Sequence, residues 1–177
     1  MTDSSHRNLT WFLIVAGVFS ADMLTKQMAE AMLDYGQGVA ILPILDFTLL
    51  YNKGAAFSFL ANESGWQRWF FTAISTLVSA MLIMWLRKLE RHQVWLGVAL
   101  ALVLGGALGN LFDRIAFGHV IDFVAVHWGD AYFPAFNIAD SAITIGAVML
   151  GIDAIRDSFN NKNPDDSEKK QTTTESQ

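Results

Sequence analysis

The sequence predicts an all-α membrane protein with a small β element. It has four transmembrane helices, both termini in the cytoplasm, a small antiparallel outer sheet and a short interfacial helix. Three observations predict this. Of 177 residues, 53% are hydrophobic and only 16% charged, against about 25% charged in a soluble domain. The apolar residues cluster into four runs, and about 20 such residues cross the roughly 30 Å of bilayer hydrocarbon. Between the first two runs, short β-prone segments alternate with turn residues. The same composition excludes a disordered chain. With no cysteine there are no disulfides and no thiolate metal ligands, and a net charge of −5 gives no general attraction to nucleic acid.

The first span, about residues 9–30, is apolar over 9–21 and then meets Asp22 and Lys26. Arg7, the apolar stretch and the small residues Ser20 and Ala21 also fit a cleaved signal peptide. However, Asp22, Lys26 and Glu30 continue the helix, four apart on one face, and a cleaved peptide has no reason to continue so. A retained helix is expected. The outer segment, about 36–60, carries Val39, Ile41, Leu42, Ile44, Leu45, Phe47, Leu49, Leu50 and Tyr51. It is divided by Gly36, Gly38, Pro43, Asn52 and Gly54, a pattern of antiparallel strands.

Spans two and three, about 69–86 and 94–112, contain no charge at all. A soluble bundle would show polar faces at a period of 3.6 residues, and span two offers only Thr and Ser. Gly105 and Gly109, four apart in span three, favour close helix packing over phosphate binding. Between residues 113 and 137, His127, Trp128, Tyr132 and Phe133 suit the bilayer interface, and the short interfacial helix is expected there. The fourth span, about 138–156, carries Asp140 near its start. Residues 1–156 thus read as one membrane domain, and the polar stretch 157–177 as a disordered cytoplasmic tail.

Four spans put both termini on one side. The segments on that side hold Arg7, Arg87, Lys88, Arg91, Arg156, Lys162, Lys169 and Lys170; the other side holds Lys26, Lys53, Arg68 and Arg114. Eight basic residues against four place the termini in the cytoplasm.

Ionisable groups in or beside apolar spans are expensive and mark function by default. Asp22 and Lys26, Asn110, Asp113 and Arg114, and Asn137 and Asp140 all fall at the outer ends of their spans. Asn52, Lys53 and Asp122 lie in the outer segments. The polar residues therefore gather at one membrane level. Asp122 is flanked by Val120, Ile121, Phe123 and Val124, and Asp140 lies in an apolar span. Apolar surroundings disfavour the ionised carboxylate. Two such acids facing each other share one proton near neutral pH. One member then deprotonates water while the other protonates the carbonyl or leaving amine. The bland alternatives are an exposed loop acid for Asp122 and a helix N-terminal acid for Asp140.

Other constellations are missing. There is no H-E-x-x-H, and His6, His92, His119 and His127 are scattered, so no zinc site is expected. No serine elbow and no nucleotide-binding glycine loop occurs.

Five segments together carry a resemblance. They are Asp22-Met23-Leu24-Thr25-Lys26; Tyr51-Asn52-Lys53-Gly54-Ala55-Ala56-Phe57; Gly105-Gly106-Ala107-Leu108-Gly109-Asn110-Leu111-Phe112-Asp113-Arg114; Gly118-His119-Val120-Ile121-Asp122-Phe123; and Phe136-Asn137-Ile138-Ala139-Asp140-Ser141. In this order, on four spans covering about residues 8–156, they make the chain resemble the bacterial lipoprotein signal peptidases (signal peptidase II, or prolipoprotein signal peptidase).

The resemblance implies a multi-pass enzyme of the bacterial inner membrane with its site at the periplasmic face. Such an enzyme cuts prolipoproteins just before a diacylglyceryl-modified cysteine. It is similar in mechanism to aspartic proteases, uses no metal or other cofactor, and is inhibited by globomycin. The implied catalytic pair is Asp122 and Asp140. The supporting or substrate-binding residues are Asn52, Gly54, Asn110, Arg114, Asn137, Asp22 and Lys26. Asn52, Asn110 and Asn137 can bond an extended substrate backbone, and Arg114 can bind a carbonyl or hold a neighbouring acid. Asp22 and Lys26, one turn apart, can neutralise each other and are expected to support the outer loop. The partners are a lipid-modified prolipoprotein and membrane lipid, and a monomer suffices.

Two other readings compete. A transporter would place charge at the membrane midplane, often in broken helices of an inverted repeat, but spans two and three have uncharged centres. A non-enzymatic scaffold leaves both aspartates expendable and the asparagines without purpose.

Overall fold

The computed structural model describes residues 2–54, 66–90, 92–129 and 131–160. Four helices dominate: α1 (Thr2–Met32), α2 (Trp66–Lys88), α3 (Val94–Ala116) and α4 (Ile138–Asn160). Each is long and apolar enough to cross a membrane. All four contain their expected spans and extend past them. In particular, α4 continues through residues 157–160, which the sequence reading gave to the tail, and the rest of that tail lies outside the described residues.

Helix α3 is the hub. It packs against α1, α2 and α4, and over half of its membrane-length window is buried. Its small residues explain this. A Cβ at Gly105 would meet Val18 of α1 at 2.7 Å, and one at Gly106 would overlap the Ala139 carbonyl of α4. Lipid tails are as apolar as leucine, so helices associate in a bilayer through close packing rather than apolar burial. The sealed seam contains Trp11, Val15, Leu82, Leu86, Leu100 and Leu104. Leu13, Leu77, Met81 and Val148 point outward and are exposed, as a lipid-facing surface requires. Helix α1 supplies Trp11 and Val15 to this core, which fits a retained helix.

At one end of the bundle lies a four-stranded antiparallel sheet in the order β1 (Val39–Leu42), β2 (Leu45–Asn52), β3 (Val120–Trp128), β4 (Ala131–Tyr132). Strands β1 and β2 occupy the expected outer segment, of which residues 55–60 lie outside the described residues. The second outer segment corrects the sequence reading. Residues 120–128 and 131–132 are strands, and no short helix is found among the described residues. The cause is pairing. Gly118, at φ +84°, turns the chain out of α3, and β3 then satisfies the open edge of β2, with Leu50 opposite Asp122 and Asn52 opposite Val120. His127 and Trp128 then pair with Tyr132 and Ala131 in a hairpin through Gly129. Arg68 at the start of α2 closes the end of α3, donating Nε–H to the Arg114 carbonyl (2.8 Å) and Nη2–H to that of Ile115 (2.9 Å).

Candidate active site

The polar residues of α1, α3, α4 and the sheet meet where the helix ends face β2 and β3. Asn137 organises the meeting. It precedes α4 and accepts at Oδ1 from the Asp140 amide (2.9 Å), while its own amide donates to Asp140 Oδ2 (3.3 Å). This reciprocal capping box satisfies a free N–H of the first turn and pins the Asp140 carboxylate. The Asn137 side chain also donates from Nδ2 to Asp122 Oδ1 (2.8 Å). One residue therefore holds both aspartates, through its backbone and its amide.

Each carboxylate has a further amide donor. Asn110 Nδ2 donates to Asp140 Oδ1 (2.7 Å), and Asn52 Nδ2 to Asp122 Oδ2 (3.0 Å). Asn52 stands at the end of β2 and accepts at Oδ1 from the Gly54 amide (2.8 Å), a side-chain-closed turn. Gly54 is needed there: its φ is +96°, and a Cβ would meet Phe71 at 2.6 Å.

Asp122 is only 2% exposed. Burial, and next the charge of Asp140, push its carboxyl up from 3.8 to about 7, against the opposing hydrogen bonds of Asn52 and Asn137. This is not an exposed loop acid. Asp140, partly buried, does occupy the first turn of a helix, but the asparagine that caps that turn also donates to Asp122.

Behind this pair lies a second cluster. Lys26 Nζ sits 2.7 Å from Asp22 Oδ2 and 2.7 Å from Asp113 Oδ2, and donates to Asn110 Oδ1 (3.2 Å). Asp22, Lys26 and Asp113 are all but fully buried. Asp22 also accepts at Oδ1 from the Ala139 amide (2.9 Å) and Asp113 at Oδ2 from the Ile121 amide (3.2 Å). A Cβ at Gly109 would overlap Asp22, so that glycine makes the approach of α1 possible.

The ion pair of Asp22 and Lys26 is therefore made, and among the described residues its further side-chain partners are not on β2 of the outer loop. These residues instead tie α1 to α3, to the start of α4 and, through Asp113, to β3. A lysine only donates, so it forces the Oδ1 of Asn110 toward itself and the Nδ2 toward Asp140. Arg114, half-buried, donates Nη1–H to the Asn110 carbonyl (3.2 Å) and lies over the Phe71 ring with Cζ 5.5 Å from its centroid.

Asp113 and Arg68 are the contributors that sequence reasoning left out of the site. Asp113, one turn beyond Asn110, was recognisable as a polar residue on the same helix end. The role of Arg68 had no signal, because its partners are backbone carbonyls. Among the described residues, no group of three or more His, Asp or Glu could hold a metal ion.

Comparison with known proteins gives a consistent result. The sequence pattern of the family described as Signal peptidase (SPase) II matches residues 14–156. The Lipoprotein signal peptidase of Pseudomonas aeruginosa (strain UCBPP-PA14) is 55% identical over 150 residues, covering 84% of this chain and 89% of that protein. A Lipoprotein signal peptidase of Pseudomonas fluorescens is 53% identical over 156 residues, covering 87% of this chain and 92% of that one. A bacterial membrane enzyme structure solved by the in meso method at 2.3 Å resolution superposes with a TM-score of 0.75 at 32% identity, covering 85% of this chain and 90% of that chain. A second, at 1.9 Å, gives 0.74 at 32% identity, covering 84% and 94%.

Proposed function

From a chain that belongs to the signal peptidase II family, we propose an aspartic endopeptidase in which Asp122 and Asp140 activate water to cut diacylglyceryl-modified prolipoproteins just before the lipidated cysteine. The coarser statement follows from the family: this is a multi-pass bacterial membrane hydrolase that removes signal peptides from prolipoproteins. The observation that carries the finer reading is the double grip of Asn137. Its side-chain amide donates to Asp122 and its backbone N–H to Asp140, so one residue engages both carboxylates.

The chemistry runs on one shared proton. Asp122, pushed up to about 7, carries it in the resting enzyme, and Asp140 is the base. Asp140 takes a proton from water as the water oxygen attacks the scissile carbonyl carbon. Asp122 gives its proton to the carbonyl oxygen, forming a neutral tetrahedral diol. In the collapse, the proton held by Asp140 passes to the leaving amine, the C–N bond breaks, and a diol proton returns to Asp122. Asn52, Asn110 and Asn137 keep both carboxylates oriented throughout, and Arg114 holds the end of α3 beside them.

The basic-residue count supports cytoplasmic termini, which puts the sheet and the aspartates at the periplasmic face. At that level a lipidated cysteine keeps its acyl chains in the bilayer while the peptide bond meets water. Globomycin, the family's inhibitor, is expected to compete at this site, and a monomer carries every residue the mechanism uses.

The test is cleavage of one purified prolipoprotein with and without its diacylglyceryl group, by the wild type and by Asp140→Asn. The lipid-bearing substrate should be cut and the bare one left. Asp140→Asn should cut neither while staying folded. Full activity in Asp140→Asn ends the proposal.

A further inference from the structure

The ring of Phe71, in the second turn of α2, touches two parts of the site that come from different elements. It lies against Gly54, at the end of β2, where a Cβ would meet the ring at 2.6 Å. Arg114, at the end of α3, lies over the same ring with Cζ 5.5 Å from its centroid. Phe71 is half-buried.

Each contact leads to one aspartate. The Gly54 amide donates to Asn52 Oδ1, and Asn52 Nδ2 donates to Asp122. Arg114 donates to the Asn110 carbonyl, and Asn110 Nδ2 donates to Asp140. The Arg114 charge also acts on Asp140 and Asp122. One ring therefore braces the supports of an amide donor to each carboxylate. Arg68, three residues earlier and so on the same helix face, fastens this turn of α2 to the Arg114 and Ile115 carbonyls. That clamp sets where the ring stands relative to the end of α3. An aromatic residue suits both contacts. A glycine without a side chain lets a flat ring approach its backbone closely, and a guanidinium stacks on an aromatic face.

We propose that Phe71 is a positioning residue of the catalytic centre, holding the Asn52 turn and the Arg114 side chain so that the asparagine amides stay aimed at Asp122 and Asp140. The inference rests on the reading of these aspartates as the catalytic pair. A phenyl ring offers the reaction neither a proton nor a charge, so it acts through Asn52 and Arg114. An amide donor and a nearby cation both favour the ionised form of a carboxylic acid. Loosening either one therefore favours protonated Asp122. Asp140, Lys26 and Asn137, which also act on Asp122, are left in place when Phe71 is replaced.

The experiment uses the full chain in lipid, one lipidated prolipoprotein, and the wild type beside Phe71→Ala and Phe71→Leu. In Phe71→Ala, kcat should fall about tenfold to hundredfold, the scale of a small misplacement of catalytic groups, with KM little changed. Phe71→Leu keeps the apolar volume but has no flat face, so it should fold and show a smaller fall. In both, the alkaline limb of kcat/KM should move up by about 0.5–1 pH unit. Thermal unfolding in detergent reports whether each variant is folded, and Phe71→Leu decides the matter if Phe71→Ala does not fold. Wild-type kcat and pH profile in a folded variant overturn the inference. A fall in kcat with an unmoved limb also overturns it, because the ring then does not act through Asn52 and Arg114. A raised KM with unchanged kcat makes Phe71 a substrate contact and overturns it as well. A wild type that does not cut the lipidated substrate, or an Asp140→Asn variant that cuts it fully, removes the underlying function instead.

Discussion

Two pairs of aspartates sit at the same end of this bundle, and they are held in opposite ways. Asp22 and Asp113 share one cation, Lys26, at 2.7 Å from each. Among the described residues, Asp122 and Asp140 receive neutral donors, the amides of Asn52, Asn110 and Asn137 and one backbone N–H. Asn110 touches both clusters. A fixed cation neutralises buried carboxylates and anchors the helices that carry them. Neutral amides orient carboxylates but leave a proton free to move between them. Residue type alone does not separate structural from chemical acids; the charge of the donors does.

The largest expected effect tests the chemical pair. Asp122→Asn should reduce cleavage of a lipidated substrate by about 10⁴-fold or more, the scale of removing one member of a catalytic unit. Its thermal unfolding in detergent should stay cooperative. Retained activity there would make Asp122 another anchoring acid and erase the contrast.

Next comes the structural cluster. Lys26→Met should leave two buried carboxylates without a cation and destabilise the fold by about 3–5 kcal/mol, read as a lower unfolding temperature. Lys26, Asp22 and Asp113 are too deeply buried for solvent to take over. A Lys26→Met protein as stable as the wild type would show that close packing around Gly105, Gly106 and Gly109 holds the helices without the ion pairs.

This contrast was only half legible in the sequence. The four spans followed from run length, and Asp122 and Asp140 stood out because their neighbours are apolar. The pairing of Lys26 with Asp22 followed from helical spacing. The pairing of Lys26 with Asp113 did not, because those residues lie on different helices. Strand β3 was missed for a related reason. Its residues include Val120, Ile121, Phe123, Val124 and Val126, which suit a strand, but its partner β2 lies about 70 positions earlier, and the nearby aromatic residues favoured an interfacial helix. Asn137 was the reverse case. The spacing of Asn137 and Asp140 is that of a capping pair, yet its grip on Asp122 depends on where β3 runs.

Asn137 allows its two duties to be separated. Asn137→Ser should preserve the cap, since serine caps helices as well as asparagine does, while removing the donor to Asp122. It should lose activity with little change in stability. Asn137→Ala should lose the cap too and cost a further ~1–2 kcal/mol. Equal stability of the two variants would deny the capping box its part in fixing Asp140.

The smallest effect is a displacement along the pH axis, and it sharpens the account of Asp122 most. Burial, then the Asp140 charge, raise its carboxyl from 3.8 to about 7. If Asp122 must be protonated to donate, kcat/KM should fall as pH rises through about 7, approaching tenfold per unit above it. The folded protein also binds this proton more tightly than the unfolded chain does. The associated stability is therefore fully present below about 3.8 and is lost as pH rises through about 7. Asp122→Asn should remove that slope from the unfolding profile. The Asn52 hydrogen bond favours the ionised form of Asp122 and so works against the rise. Asn52→Ala should therefore move the alkaline limb of the activity profile to higher pH, even as activity at the optimum drops. A shift to lower pH, or none, would mean that the limb reports another group and that Asp122 does not hold the shared proton.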